Sequence, residues 1–354
     1  MKQFEFGKIL KQIGYLTWVT AASLILFEIV LRVTGIYQTY FEKIGKGYSS
    51  YYNQRLTKRF MSYSPNDSFW MDNKEFCYRY YTNRMGMRER NIENPKPAGT
   101  FRLIMMGDSF TEGMGAPYDS SWVRQFERRL ISSNCHNIEV FNFGISGADP
   151  FEAFTLFNDS LVKYSPDMVV YCMNKSDLDD YIFKGGFERY QPDGTIKYRS
   201  GPWFETFYNN SHVVRYIVIS IFGKSHNLAE EGAERQSITP IVECLLKFRQ
   251  ECDKIGTSFF VLQHPFASEI FNPGNDNNYE AFSLLADTLS TLNLPHHNIY
   301  IRFKHAIIFG KQKDYYWPTD GHFNSKGYTL MGNVIYETLV EDSVFKELLI
   351  RNCH

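Results

Sequence analysis

The stretch Phe101–Gly113, FRLIMMGDSFTEG, constrains this chain most. A short apolar run, Leu103-Ile104-Met105-Met106, is bounded by Arg102 and Gly107. A run of that length ending in glycine reads as a strand buried on both faces of a parallel sheet. Gly107-Asp108-Ser109 then follows where open α/β sheets place their ligands, just past the carboxyl end of a strand. A serine at such a turn presents its hydroxyl together with its own backbone N–H, which suits a nucleophile with an oxyanion donor. The plainer alternative is a tight turn in which Asp108 and Ser109 only cap a helix.

From residue 101 onwards, strand and helix patterns alternate. Strands are expected at Phe101–Gly107, Ile138–Phe143, Asp167–Met173, Thr257–Gln263 and Asn298–Phe303. Helices are expected near Ser120–Ser132, Phe151–Tyr164, Pro240–Cys252, Tyr279–Leu292 and from Ser325 towards Leu349. Repeated strand–helix units give a parallel sheet with helices on both faces. The connection 178–236 is longer than ordinary ones and rich in aromatic residues, which suggests a lid or a substrate wall. It contains an apolar run, Val213–Phe222, that is too short to span a bilayer.

Upstream, residues 1–12 form a basic tail with Lys2, Lys8 and Lys11. Residues 13–33, IGYLTWVTAASLILFEIVLRV, have the length and apolarity of a bilayer span. Glu28 and Arg32 stand four residues apart near its far end, where mutual pairing makes such charges tolerable. No small-x-small cleavage pattern follows, which favours a retained anchor over a removed signal peptide; a core-packing first helix is the alternative. Arg32, Lys43 and Lys46 follow the span, so the positive-inside bias is weak. Residues 34–99 read as a Tyr-rich approach, with an edge strand at Phe76–Tyr81 and a turn-rich linker at 91–99. The domain plan is therefore tail 1–12, anchor 13–33, approach 34–99, and an α/β domain over 100–354 with an insertion at about 178–236.

A net charge of −1 gives no electrostatic case for nucleic acid. The six cysteines form no C-x-x-C pair, so neither zinc nor thioredoxin-like chemistry is suggested, and disulfides are permitted but not required. The pair His296-His297 lacks a third ligand at metal-like spacing and reads as a solvated loop. No metal or cofactor is expected.

A serine nucleophile needs a base, and the base needs an orienting group. Asp320-Gly321-His322 lies between the fifth strand and the last helix, at the same sheet edge as Ser109. Asp320 could hold one ring nitrogen of His322 and leave the other to accept the serine proton. The alternative is a helix start with Asp320 or Asn324 as cap. His264, directly after the fourth strand, is a rival base. Oxyanion donors are expected from Ser109 itself, from Gly147 beyond the second strand, and from Asn174 or Ser176 beyond the third.

Taken in order, Gly107-Asp108-Ser109-Phe110-Thr111, Asn142 through Gly147, and Asp320-Gly321-His322-Phe323-Asn324 resemble the blocks of the SGNH (GDSL-type) hydrolase family, over roughly residues 100–340. The resemblance implies a flavodoxin-like three-layer α/β/α sandwich with a five-stranded parallel sheet, here preceded by a transmembrane helix similar to that of bacterial tethered members. It implies ester hydrolysis by Ser109, His322 and Asp320 without a cofactor, on a small-molecule or glycan acyl ester. Alternatives are O-acyl transfer to a cell-surface polysaccharide and a non-catalytic binding protein on the same fold. The third block departs from the usual Gly-x-Asn-Asp: counting from Pro166 places Ser176 at the oxyanion position, with Asn174 two residues earlier. The last block has one residue between Asp and His where many members have two. The expected location is the membrane, single-pass, with the catalytic domain extracytoplasmic.

Overall fold

The buried apolar run at 103–106 does become an interior strand of the sheet. In the computed structural model, residues 2–38, 55–57, 60–199, 201–223, 233–272, 278–307 and 309–353 are described. Two compact units are present: Met1–Lys43 with Ser200–Glu231, and Ile44–Arg199 with Gly232–His354.

In the larger unit, two short antiparallel pairs come first. β1 (Arg55–Thr57) pairs with β2 (Phe60–Ser62), and β3 (Ser68–Asp72) with β4 (Cys77–Tyr81). The expected edge strand at 76–81 is thus half of a hairpin. The main sheet follows, with β5 (Phe101–Gly107), β6 (Ile138–Gly144), β7 (Met168–Met173), β8 (Ser258–Gln263) and β9 (His296–Asn298). Its order is β6-β5-β7-β8-β9 and every pairing is parallel.

The two-residue side-chain period of a strand divides the core into two layers. Ile104, Met106, Phe141, Phe143, Val169 and Tyr171 face the helices Pro150–Leu156, Glu234–Lys254 and Asn278–Thr291. Leu103, Met105, Val140, Met168, Val170 and Cys172 face Trp122–Ser132, Tyr300–Ala306 and Ser325–Glu341. This is the three-layer α/β/α sandwich. All residues of β5 and β7 are buried, as central parallel strands require.

The fifth strand differs from expectation. It ends at Asn298, and Tyr300–Ala306 is helical. The Asn298 side chain accepts the Tyr300 N–H at 2.9 Å and turns the chain. Ile299, Phe303 and Ile307 then recur at helical spacing on one core layer. His296-His297 is accordingly an edge strand rather than a solvated loop, with His297 Nε2 3.1 Å from Asp342 Oδ2. Asp342 also splits the expected last helix in two, since it caps a separate helix Ser343–Asn352 through the Phe345 N–H. Cys135 and Cys353 form a disulfide that ties this terminal helix to the approach to β6.

In the smaller unit, Lys2–Thr34 is one helix, and its portion Gly7–Thr34 is long and apolar enough to cross a membrane. The described part of Ser200–Glu231 forms the helices Glu205–Asn210 and His212–Ile221. The second half of the 178–236 insertion therefore groups with the N-terminal helix. Lys43 and Lys46, which bear on orientation, lie outside the described residues.

Candidate active site

β5 delivers Ser109 to the carboxyl edge of the sheet. Gly107 passes so close to β7 that a Cβ on it would meet the Cys172 carbonyl oxygen at 2.4 Å. Asp108 then caps the short turn Ser109–Glu112, accepting the Phe110 N–H at 2.9 Å. Asp320 and His322 arrive on the loop after Gln312–Tyr315. Gly321 between them has φ +88°, a conformation that costs glycine little.

Across 213 residues of sequence, His322 Nε2 lies 2.7 Å from Ser109 Oγ, and His322 Nδ1 lies 2.5 Å from Asp320 Oδ1. All three residues are buried. Burial opposes charging the His322 ring, but the charge and hydrogen bond of Asp320, with Asp108 and Glu112 beyond, outweigh it and raise its pKa. The arrangement can take a proton from the serine hydroxyl and stabilise the imidazolium that results.

His264 is not in that chain. It is buried beside Phe110, and its Nε2 lies 3.3 Å from Asn174 Nδ2. Burial pushes its pKa down to about 4, so the ring is neutral at ordinary pH.

The four expected oxyanion donors fall into two groups. Among the described residues, no acceptor takes the backbone N–H of Ser109 or of Gly147. Asn174 is the first residue beyond β7. It donates from Nδ2 to Asp108 Oδ2 at 2.8 Å and accepts the N–H and Oγ–H of Ser176 at 2.8 and 2.7 Å. Ser176 thus sits behind Asn174 and orients it.

Several supporting residues gave no sequence signal. Glu112, three residues beyond Ser109, is buried and accepts the Ser146 N–H at 2.5 Å and its Oγ–H at 2.6 Å. Tyr63 and Tyr80 donate to its other oxygen. The turn between β3 and β4 reaches the catalytic loop: Glu75 accepts the N–H groups of Thr319 and Asp320 at 3.0 and 2.7 Å. Asn73 Nδ2 donates to Asp320 Oδ2 at 3.3 Å. A polar Asn-x-Glu in a hairpin turn looks like ordinary turn chemistry, and only the fold brings it to Asp320. Glu112 was visible inside the nucleophile motif, but its burial was not.

A serine–histidine–aspartate chain at the carboxyl edge of a parallel α/β sheet is an arrangement suited to nucleophilic serine chemistry. Residues 103–201 match the family GDSL-like Lipase/Acylhydrolase, which supports an ester-hydrolysing enzyme. Among solved structures, a lipase/acylhydrolase from Enterococcus faecalis is similar at 14% identity and TM-score 0.42, covering 68% of this chain and 95% of that one. A member of the lipolytic protein G-D-S-L family from Veillonella parvula is similar at 15% identity and TM-score 0.41, covering 69% and 100%. A catalytic mutant of an acetylxylan esterase from Geobacillus stearothermophilus is similar at 11% identity and TM-score 0.43, covering 67% and 93%. Comparison with curated proteins gives no match.

Proposed function

We propose that this is a membrane-tethered serine ester hydrolase in which Ser109 is the nucleophile, His322 the general base and Asp320 the orienting acid. The observation that carries the reading is the unbroken chain Ser109 Oγ, His322 Nε2, His322 Nδ1, Asp320 Oδ1 at 2.7 and 2.5 Å. Ser109 Oγ attacks the acyl carbonyl carbon while its proton passes to His322 Nε2. The tetrahedral oxyanion is held by the N–H groups of Ser109 and Gly147. Asn174 serves as third donor by giving up its long contact with His264, because an oxyanion accepts more strongly than a neutral ring at 3.3 Å. The imidazolium protonates the departing alcohol, and a water deprotonated by His322 then releases the acid.

The substrate class is a small acyl ester or an acylated glycan. The tether is Gly7–Thr34, and the domain is placed outside the cytoplasm. The Cys135–Cys353 disulfide supports that side, since such bonds persist in oxidising compartments.

The deciding experiment is hydrolysis of p-nitrophenyl acetate together with labelling by a fluorophosphonate. The native chain turns over the ester and takes the label; Ser109→Ala does neither while keeping the same melting temperature. Unchanged turnover in that variant overturns the assignment. Product analysis with an added glycan acceptor separates hydrolysis from transfer.

A further inference from the structure

The N-terminal helix carries a carboxylate, Glu28, in its apolar stretch, and that carboxylate is fully employed. Its Oε1 accepts from Arg32 Nε at 2.6 Å and from the His212 N–H at 3.1 Å. Its Oε2 accepts from Ser211 Oγ at 2.8 Å and from the Val213 N–H at 2.9 Å. Glu28 therefore closes the start of the helix His212–Ile221, whose first N–H groups have no partner within their own helix. Arg32 Nη2 donates to the Asn210 carbonyl at 2.7 Å, and His212 Nδ1 lies 2.8 Å from the Ile36 carbonyl oxygen. Arg215, buried, donates to the carbonyls of Tyr208 and Asn209, which end the preceding helix. Phe27 and Tyr37 pack on the Tyr216 ring at centroid distances of 5.3 and 5.8 Å.

The groups named above are satisfied within the assembly, and its exposed residues mix polar Glu205, Asn209 and Asn210 with large apolar side chains. Trp203 is 86% exposed, Phe222 68% and Val33 of the N-terminal helix 82%, with Phe207, Ile221, Ile29 and Ile36 exposed beside them. We propose that residues 203–222 are a second membrane-seated element, lying in the lipid interface against the end of the N-terminal helix and fastened there by Glu28.

This rests on the reading of Gly7–Thr34 as a bilayer span. The end of a span lies at headgroup depth, where Trp and Tyr are enriched because one side of the ring is apolar and the other meets water. The exposed apolar residues of the insertion and of the anchor belong to one compact unit. A helix end can enter that layer only when its backbone groups are satisfied, and Glu28 and Arg215 do this for the two facing ends. A second copy of the chain would need to cover the anchor's own apolar surface as well, whereas lipid covers both without further partners. The consequence is an insertion held in the membrane plane.

The test uses the full chain in phosphatidylcholine–phosphatidylglycerol vesicles, with and without phosphatidylcholine brominated on its acyl chains. Tryptophan quenching is compared for the native chain, Trp18→Phe, Trp203→Phe and Glu28→Gln. Trp18 lies inside the span and reports the anchor; Trp203 reports the insertion. The expected result is that each Trp→Phe variant loses a quenched component, that Glu28→Gln loses the Trp203 component while keeping the Trp18 one, and that quenching is independent of the protein-to-lipid ratio. A Trp203 component that bromine does not quench, beside a quenched Trp18, overturns the proposal and leaves the anchor standing. An unquenched Trp18 overturns the anchor itself. Trp203 shielding that fades as the protein is diluted in lipid overturns it in favour of self-association, and undiminished Trp203 quenching in Glu28→Gln overturns the fastening role.

Discussion

Glu112 holds Ser146 by two hydrogen bonds to a single carboxylate oxygen, the backbone N–H at 2.5 Å and Oγ–H at 2.6 Å. Glu112 ends the turn that begins with Ser109, and Ser146 precedes Gly147. One buried side chain therefore ties the turn of Ser109, the proposed nucleophile, to the loop of Gly147, the proposed second oxyanion donor. Arg88 stands by, donating to the carbonyls of Glu112, Gly113 and Ala116.

Glu112→Gln keeps the shape and removes the charge that both Ser146 donors point at. Removing an oxyanion donor outright costs about 10²–10³ in rate, and loosening its loop should cost less. The expected result is a fall in kcat of roughly tenfold to a hundredfold with KM nearly unchanged. Steady-state kinetics on p-nitrophenyl acetate checks it; an equal loss appearing only as a raised KM would mean that the loop binds substrate rather than the oxyanion.

The raised pKa of His322 fixes the sign of the pH response. The base works only when neutral, so kcat/KM should rise with pH through a value above the ordinary 6.5 and then level off. The linked stability runs the other way. The attraction between Asp320 and the imidazolium is fully present below the unfolded pKa and is lost as pH rises through the folded one. A pH–rate profile beside melting temperatures over the same range tests both. Asp320→Asn should shift the kinetic midpoint downward as well as lower the plateau.

Asn174 and Ser176 should separate. Asn174 can donate directly to the developing charge, so Asn174→Ala is expected to lower kcat by about 10²–10³. Among the described residues, Ser176 Oγ bonds to Asn174 and, at 3.5 Å, to Asp108, and Ser176→Ala is expected to cost less than about tenfold. Comparing the two variants on one substrate decides the matter, because equal losses would assign the donor to Ser176.

Glu75 braces the loop of the catalytic acid from a hairpin in the approach segment. Glu75→Ala removes its bonds to two backbone N–H groups, each worth about 1 kcal/mol. The expected outcome is a lower melting temperature and a several-fold lower kcat, read by thermal unfolding and initial rates. Glu75→Gln should restore most of both, since one amide oxygen can still accept.

The sheet was legible because its strands are short apolar runs ended by glycine or polar residues, and its carboxyl edge gave Ser109 its place in the fold. Asp320 and His322 stood out as an acid and a base two residues apart in a turn, a pattern that also suits a helix start. The fifth strand was misread as Asn298–Phe303 because Ile299, Tyr300 and Phe303 are apolar under either period, and the cap at Asn298 decided for helix. The contacts of Asn73, Glu75, Tyr63 and Tyr80 were invisible for a different reason. Each spans a long stretch of sequence, and nothing local in a hairpin announces what its turn will touch. The grouping of 201–223 with the N-terminal helix was hidden likewise, since a single glutamate in an apolar run does not name the backbone it will cap.

The hairpin turn of β3 and β4 also determines where this protein can be shortened. A chain cut just before Phe101 would retain Ser109, His322 and Asp320 together with the whole parallel sheet. It would lack the struts beneath the aspartate and the two tyrosines on Glu112. The proposed reacting atoms would be complete and their alignment unsupported, so the segment that looks like a mere spacer before the sheet is a structural part of the candidate site.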